Sequence, residues 1–188
     1  MYDLIVCDGL VIDGTGASRR RADVAIADGK IAAIGRFAPS AARRALSAEG
    51  CVVAPGFIDP HTHCDPQLTL DPFASSSCFH GVTSVVVGNC GFGIAPTRAA
   101  GREAVKQIFA RVEDPAVLDR IPWDFETFPE LLRSREGNIA GQKRWTARPL
   151  GMRASIVIGV PIVIDGESTD DAARPGAVLR PGIGAGPA

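Results

Sequence analysis

His61 and His63 stand two residues apart at the end of an apolar run, VVAPGFIDPHTH, residues 52–63. In an extended strand alternate residues face the same way. Both imidazoles can therefore point at one ion while Thr62 points away. Imidazoles joined by a carboxylate or a thiolate suit zinc and similar divalent metals. A His-x-His pair alone is weak, because surface and core histidines produce it too. A further donor is Cys90, in the turn Gly88-Asn89-Cys90-Gly91. As a thiolate it could ligate zinc at ~2.3 Å; on residue type alone it reads as a small packed side chain. Asp65 and Asp71, the carboxylates nearest the histidines, read as loop or capping residues.

Two apolar runs must position these groups. Phe57-Ile58 leads directly into the histidines, and the β-branched run Val82–Val87 ends at the glycine-flanked turn that carries Cys90. Such a run is expected of a strand buried on both faces, and its glycines permit a tight turn. His80, the remaining histidine, precedes this run. It therefore lies at the strand's other end, six residues of ~3.3 Å each away, and is excluded from the same site.

Upstream, short alternating stretches read as strands. YDLIVCDGLVIDG is expected to fold back at Asp8-Gly9, and ADVAIADGKIAAIGR at Asp28-Gly29, since Asp-Gly is a strong hairpin signal. Ala38–Arg44 reads as a helical turn or loop, and Leu46–Val53 as a strand broken at Glu49-Gly50. A short helix is expected near Ser75-Ser76-Ser77, with the serines as caps. Ala104, Val105, Ile108, Phe109 and Val112 recur at helical spacing within residues 99–112. RASIVIGVPIVIDGE, residues 153–167, reads as two strands joined at Gly159-Val160-Pro161.

PGFIDPHTH resembles the first barrel strand of the amidohydrolase superfamily, and HGVTSVVVGNCGFG, residues 80–93, resembles the second strand of its N-acyl-D-amino-acid deacylase (D-aminoacylase) family. The resemblance implies a distorted (β/α)8 barrel with a small β-domain, and zinc-dependent hydrolysis of the amide bond of N-acyl-D-amino acids. It makes His61, His63 and Cys90 metal ligands, not all of one zinc. Zinc in such sites activates water to attack the amide carbonyl, and an aspartate carries the proton to the leaving amine. No residue here can be named for that aspartate. The segment around Trp123, Phe125 and Phe128 is similar to one that lines part of the family's substrate region; the same aromatics could equally staple a loop. Residues 153–182 resemble the family's extreme C-terminus.

Length limits this reading. The chain has 188 residues, whereas a complete barrel needs ~250. The expected organisation is α/β: residues 1–56 plus 150–182 as a composite, sandwich-like small β-domain, 57–133 as the first two βα units of an incomplete barrel, 134–149 as a junction, and 183–188 as a disordered tail. The expected alternatives are a non-catalytic remnant and a metal-binding module, with exposed sheet edges inviting self-association. A net charge of −1 gives no reason to expect nucleic acid or a charged membrane surface. No apolar run reaches the ~20 residues of a membrane span, and the N-terminus lacks signal-peptide features. Five cysteines without a CxxC pair favour free thiols in a reducing, cytoplasmic setting. Cys7, Cys51, Cys64 and Cys78 read as packing residues.

Overall fold

The computed structural model describes residues 1–71, 74–136, 150–169 and 175–177. They divide into two compact units, Met1–Pro55 with the chain from Ile156 onward, and Gly56–Ser155.

The first unit begins with strand β1, Tyr2–Val11, followed by β2, Arg20–Ala27, and β3, Lys30–Gly35. β1 pairs antiparallel with β2, and β2 with β3. The β2–β3 connection is the expected hairpin: Asp28 (φ 49°) and Gly29 (φ 72°) are both left-handed, the backbone of a two-residue turn whose twist matches its strands. Asp8-Gly9 makes no turn. β1 runs straight through it, and the register against β2 slips between Val6 and Gly9, so Asp8 (φ 60°) is the extra residue of a bulge. Gly9 is required there for another reason. A Cβ on it would lie 2.4 Å from Val53 Cγ2 and 3.3 Å from Ala48 Cβ.

After a 3-10 turn at Pro39–Ala41, β4 (Ala42–Ser47) and β5 (Val52–Val53) both pair parallel with β1, one beside Tyr2–Cys7 and the other beside Leu10-Val11. Leu4, Val6, Val11, Ala22, Val24 and Ile26 alternate along these strands and form the core of the unit, as period-two patterning requires.

The second unit starts with β6, Phe57–Asp59, then helix α1, Cys64–Leu68, helix α2, Ser75–Cys78, and strand β7, Val82–Val85. The serines lie within α2 rather than before it. β6 and β7 pair parallel, as a βαβ connection allows. β7 is half-buried along its length rather than enclosed on both faces. Helices α3 (Arg102–Phe109), α4 (Pro115–Leu118) and α5 (Phe128–Glu136) follow. Asp114 caps α4, accepting the Ala116 amide at 2.8 Å, with Pro115 at the first helical position. Ile94, Phe109, Leu118, Ile121, Phe125 and Leu131 pack into this unit's core. The stretch expected as a junction from residue 134 begins inside α5; residues 137–149 and the tail 183–188 lie outside the described residues.

β8 (Ala154–Val157), β9 (Val160–Ile164) and β10 (Glu167–Ser168) form a separate three-stranded sheet in the order β10-β9-β8. Its first turn lies at Ile158-Gly159, with φ values of 46° and 76°. That turn meets the β2–β3 turn: a Cβ on Gly159 would lie 3.2 Å from Gly29 Cα, and one on Gly29 would lie 2.5 Å from Ile158 Cγ2. Ile156 packs against the core of β1 and β2. No helix among the described residues is long and apolar enough to cross a membrane.

Candidate metal centre

The histidines lie just beyond β6, not within it. The strand ends at Asp59, and His63 is the residue capping α1, with φ −108° and ψ 28°. The bend between them is held by local bonds. Asp59 Oδ1 accepts the His61 amide at 3.1 Å, and Thr62 Oγ1 donates to Val86 O at 2.9 Å. Thr62 is thus buried toward β7 while the two imidazoles face out, with ring centroids 5.9 Å apart.

Cys90 meets them from the loop that follows β7. The donor atoms of His61, His63 and Cys90 all lie within 4.8 Å of one another, with His61 exposed and the other two half-buried. Zinc bonds of ~2.0–2.3 Å in a tetrahedron place ligand atoms ~3.5 Å apart. The widest separation here must therefore close by up to about 1.3 Å on binding. The set of two imidazoles and a thiol fits zinc. His80 lies outside this group, before β7.

Packing fixes the walls. The Phe92 ring sits edge-on to His63 at 5.6 Å and to Phe109 at 5.0 Å. Phe109 is fully buried on α3, so the helix backs His63 through one intervening ring. Of the other aromatics, Phe125 is buried in the core and Trp123 packs against it, with centroids 5.7 Å apart, while Phe128 is exposed.

Asp65 has a role that sequence reasoning missed. It is buried in the first turn of α1, and its Oδ1 accepts the Gly88 amide at 3.3 Å. Burial pushes the Asp65 carboxyl up, against the opposing effects of backbone amides and of His63. No local pattern could have revealed a partner 23 residues away. The remaining thiols differ from Cys90 in setting. Burial raises Cys64, and it pushes Cys78 up to about 11. All five cysteines are free.

Residues 44–130 match the amidohydrolase family. Over that stretch the chain is similar to the amidohydrolases. An N-acyl-D-glutamate deacylase from Alcaligenes xylosoxydans xylosoxydans is 49% identical over 102 residues, covering 54% of this chain and 21% of that protein. The Bordetella bronchiseptica N-acyl-D-glutamate deacylase, solved with zinc and a phosphonate inhibitor that mimics the reaction's tetrahedral intermediate, superposes with a TM-score of 0.57 at 36% identity, covering 83% of this chain and 29% of that one. A D-aminoacylase with a binuclear metal centre superposes at a TM-score of 0.54 and 34% identity, covering 71% and 27%. The chain thus spans between a fifth and three-tenths of the length of these three proteins.

Proposed function

We propose that the chain carries the first part of a zinc site of the N-acyl-D-amino-acid deacylase type, with His61, His63 and Cys90 as ligands. The supporting observation is that donor atoms from two separate loops come within 4.8 Å of one another. When bound, zinc supplies Lewis acidity toward an amide carbonyl and a more acidic water. The protein's part is to hold two imidazoles and a thiolate in place and to exclude water from one side through Phe92 and Phe109.

The substrate class is an N-acyl-D-amino acid, with N-acyl-D-glutamate the first to try, because a relative 49% identical over 102 residues acts on it. On this reading Met1–Pro55 with β8–β10 is the composite small β-domain, and β6 and β7 are the first two strands of an incomplete barrel. A reducing, cytoplasmic setting suits five free thiols. The test is zinc stoichiometry by equilibrium dialysis together with release of acetate from N-acetyl-D-glutamate. One zinc per chain, lost in His61→Ala and Cys90→Ser, supports the site; binding unchanged by both substitutions refutes it. Chelator-sensitive turnover extends the assignment to catalysis.

A second reading is a metal-holding but non-catalytic chain that self-associates. It is favoured by the three histidines of the chain, two of them in the site, and by Phe57 and Ile58 of β6, exposed at 59% and 69%. Light scattering decides it. A monodisperse monomer that turns over N-acetyl-D-glutamate excludes this reading. A zinc-loaded oligomer without turnover, reduced to monomer by Ile58→Ser, supports it.

A further inference from the structure

The loop from Gly88 to Ile94 carries Cys90 and needs something to hold it, since its turns are made by glycines with left-handed backbone, Gly88 (φ 76°) and Gly91 (φ 98°). Two side chains tie it to the histidine segment. Asn89 Nδ2 donates to Pro60 O at 2.7 Å from the exposed side. From beneath, Asp65 accepts the Gly88 amide at 3.3 Å at one end of the loop. Ile94, at the other end, is fully buried, so that end is fixed in the core. Gly93 passes so close that a Cβ there would sit 3.1 Å from Asp65 Oδ2.

We propose that Asp65 is a positioning residue whose carboxylate ties the start of the 88–94 loop through the Gly88 amide, lies against its far end at Gly93, and so sets Cys90 against His61 and His63. It belongs to the same short segment as the histidines, two residues after His63, so one rigid turn places all three donors. A carboxylate suits the task because one oxygen accepts the Gly88 amide while the other lies against Gly93. It also leaves Asp65 out of the donor cluster itself. The inference rests on His61, His63 and Cys90 being ligands only for its effect on metal; the anchoring of the loop stands apart.

The experiment titrates the full wild-type chain, Asp65→Ala, Asp65→Asn and Gly93→Ala with cobalt(II). Thiolate-to-cobalt charge-transfer absorption reports Cys90, and the visible ligand-field bands report the ion as a whole. Asp65→Ala is expected to lose the charge-transfer band and to weaken cobalt binding tenfold to a hundredfold, about the effect of removing an outer partner of a metal site. Asp65→Asn, which keeps one acceptor oxygen, is expected to fall between the two. Gly93→Ala displaces the carboxylate without removing it and should weaken the band in the same direction; it also serves if Asp65→Ala does not fold. A full-strength band and unchanged affinity in both Asp65→Ala and Gly93→Ala would overturn the proposal.

Amide hydrogen exchange on the metal-free chains separates the two layers. Exchange at Gly88 is expected to rise at least about tenfold in Asp65→Ala relative to Asn89→Ala, as opening of a hydrogen-bonded segment requires. Equal rates overturn the anchor. If wild type itself gives no charge-transfer band, the ligand assignment falls, and the exchange result still decides the anchor.

Discussion

Removing the Asp23 carboxylate should loosen the first unit by an amount that the structure bounds. Asp23 is 3% exposed on β2. It accepts the Asp8 amide at 2.7 Å and the Phe37 amide at 2.8 Å, and Arg36 lies 3.8 Å away. The two amides belong to the bulge in β1 and to the exit from β3, so one side chain closes both ends of a three-stranded meander. A hydrogen bond to a charged group contributes about 1.5–3 kcal/mol. Arg36 is exposed, so the ion pair adds little, and the two bonds are taken at the low end because the site lies just beneath the surface. Asp23→Ala should then cost about 3 kcal/mol, equivalent to a roughly 150-fold rise in the opening constant.

The pH dependence carries a definite sign. Burial pushes the Asp23 carboxyl up, but the Asp8 and Phe37 amides and Arg36 outweigh it and hold it below the usual value. A carboxyl depressed in the folded state adds stability above its unfolded pKa of ~3.9, and that stability is lost as pH falls through the folded value. The gap between wild type and Asp23→Asn should therefore be full at pH 6 and shrink below about pH 4. Hydrogen exchange of peptides spanning β1 and β2 reads the opening directly, and urea unfolding followed by far-UV circular dichroism gives the total. A cost under about 0.5 kcal/mol, or a gap that does not narrow in acid, would refute the reasoning.

Other outcomes follow from single contacts. Gly9→Val should destabilise by about 1–3 kcal/mol through overpacking against Val53, read as a lower urea midpoint at unchanged slope. Ile158→Asn should stabilise by about 1 kcal/mol, because it removes a β-branched residue from φ 46°; thermal unfolding checks it. Iodoacetamide at pH 8 should label half-buried Cys90 well before buried Cys64 and Cys78, whose thiols burial raises. Zinc should then protect Cys90 selectively, as peptide mass mapping would show.

The same dipeptide marks how much of the fold the sequence discloses. Asp28-Gly29 turns as expected, because its distant contact supports the local preference: Asp3 accepts the Asp28 amide at 2.8 Å. Asp8-Gly9 does not, because its neighbours are decided at a distance: Asp23 takes the Asp8 amide, Arg36 pairs with its carboxylate at 2.8 Å, and Val53 fills the space beside Gly9. Ile158-Gly159 reverses the case, since isoleucine is a poor turn residue and the turn lies against Gly29 and Ile26, which are distant in sequence. At the candidate site, the residue types and the Thr62 alternation were legible. The means of convergence was not, because the chain leaves the strand at Asp59 and bends through the α1 cap. Asp65 looked like a loop carboxylate because its amide partner, Gly88, comes from the far side of β7.

The first unit is written in two pieces with about 100 residues of chain between them. Joining the ends of a flexible segment that long costs (3/2)RT ln n, about 4 kcal/mol. The β2–β3 hairpin closes over two residues and escapes that cost, whereas Ile156 of β8 can reach the core of β1 only after it has been met. Folding of the second unit shortens the effective loop and brings the later strands within reach. The order of events is thus built into the chain: meander and second unit independently, then β8–β9 last. Variants that slow the second unit's folding should delay protection of Ile162 and Val163, both buried in β9, without touching a single contact those residues make.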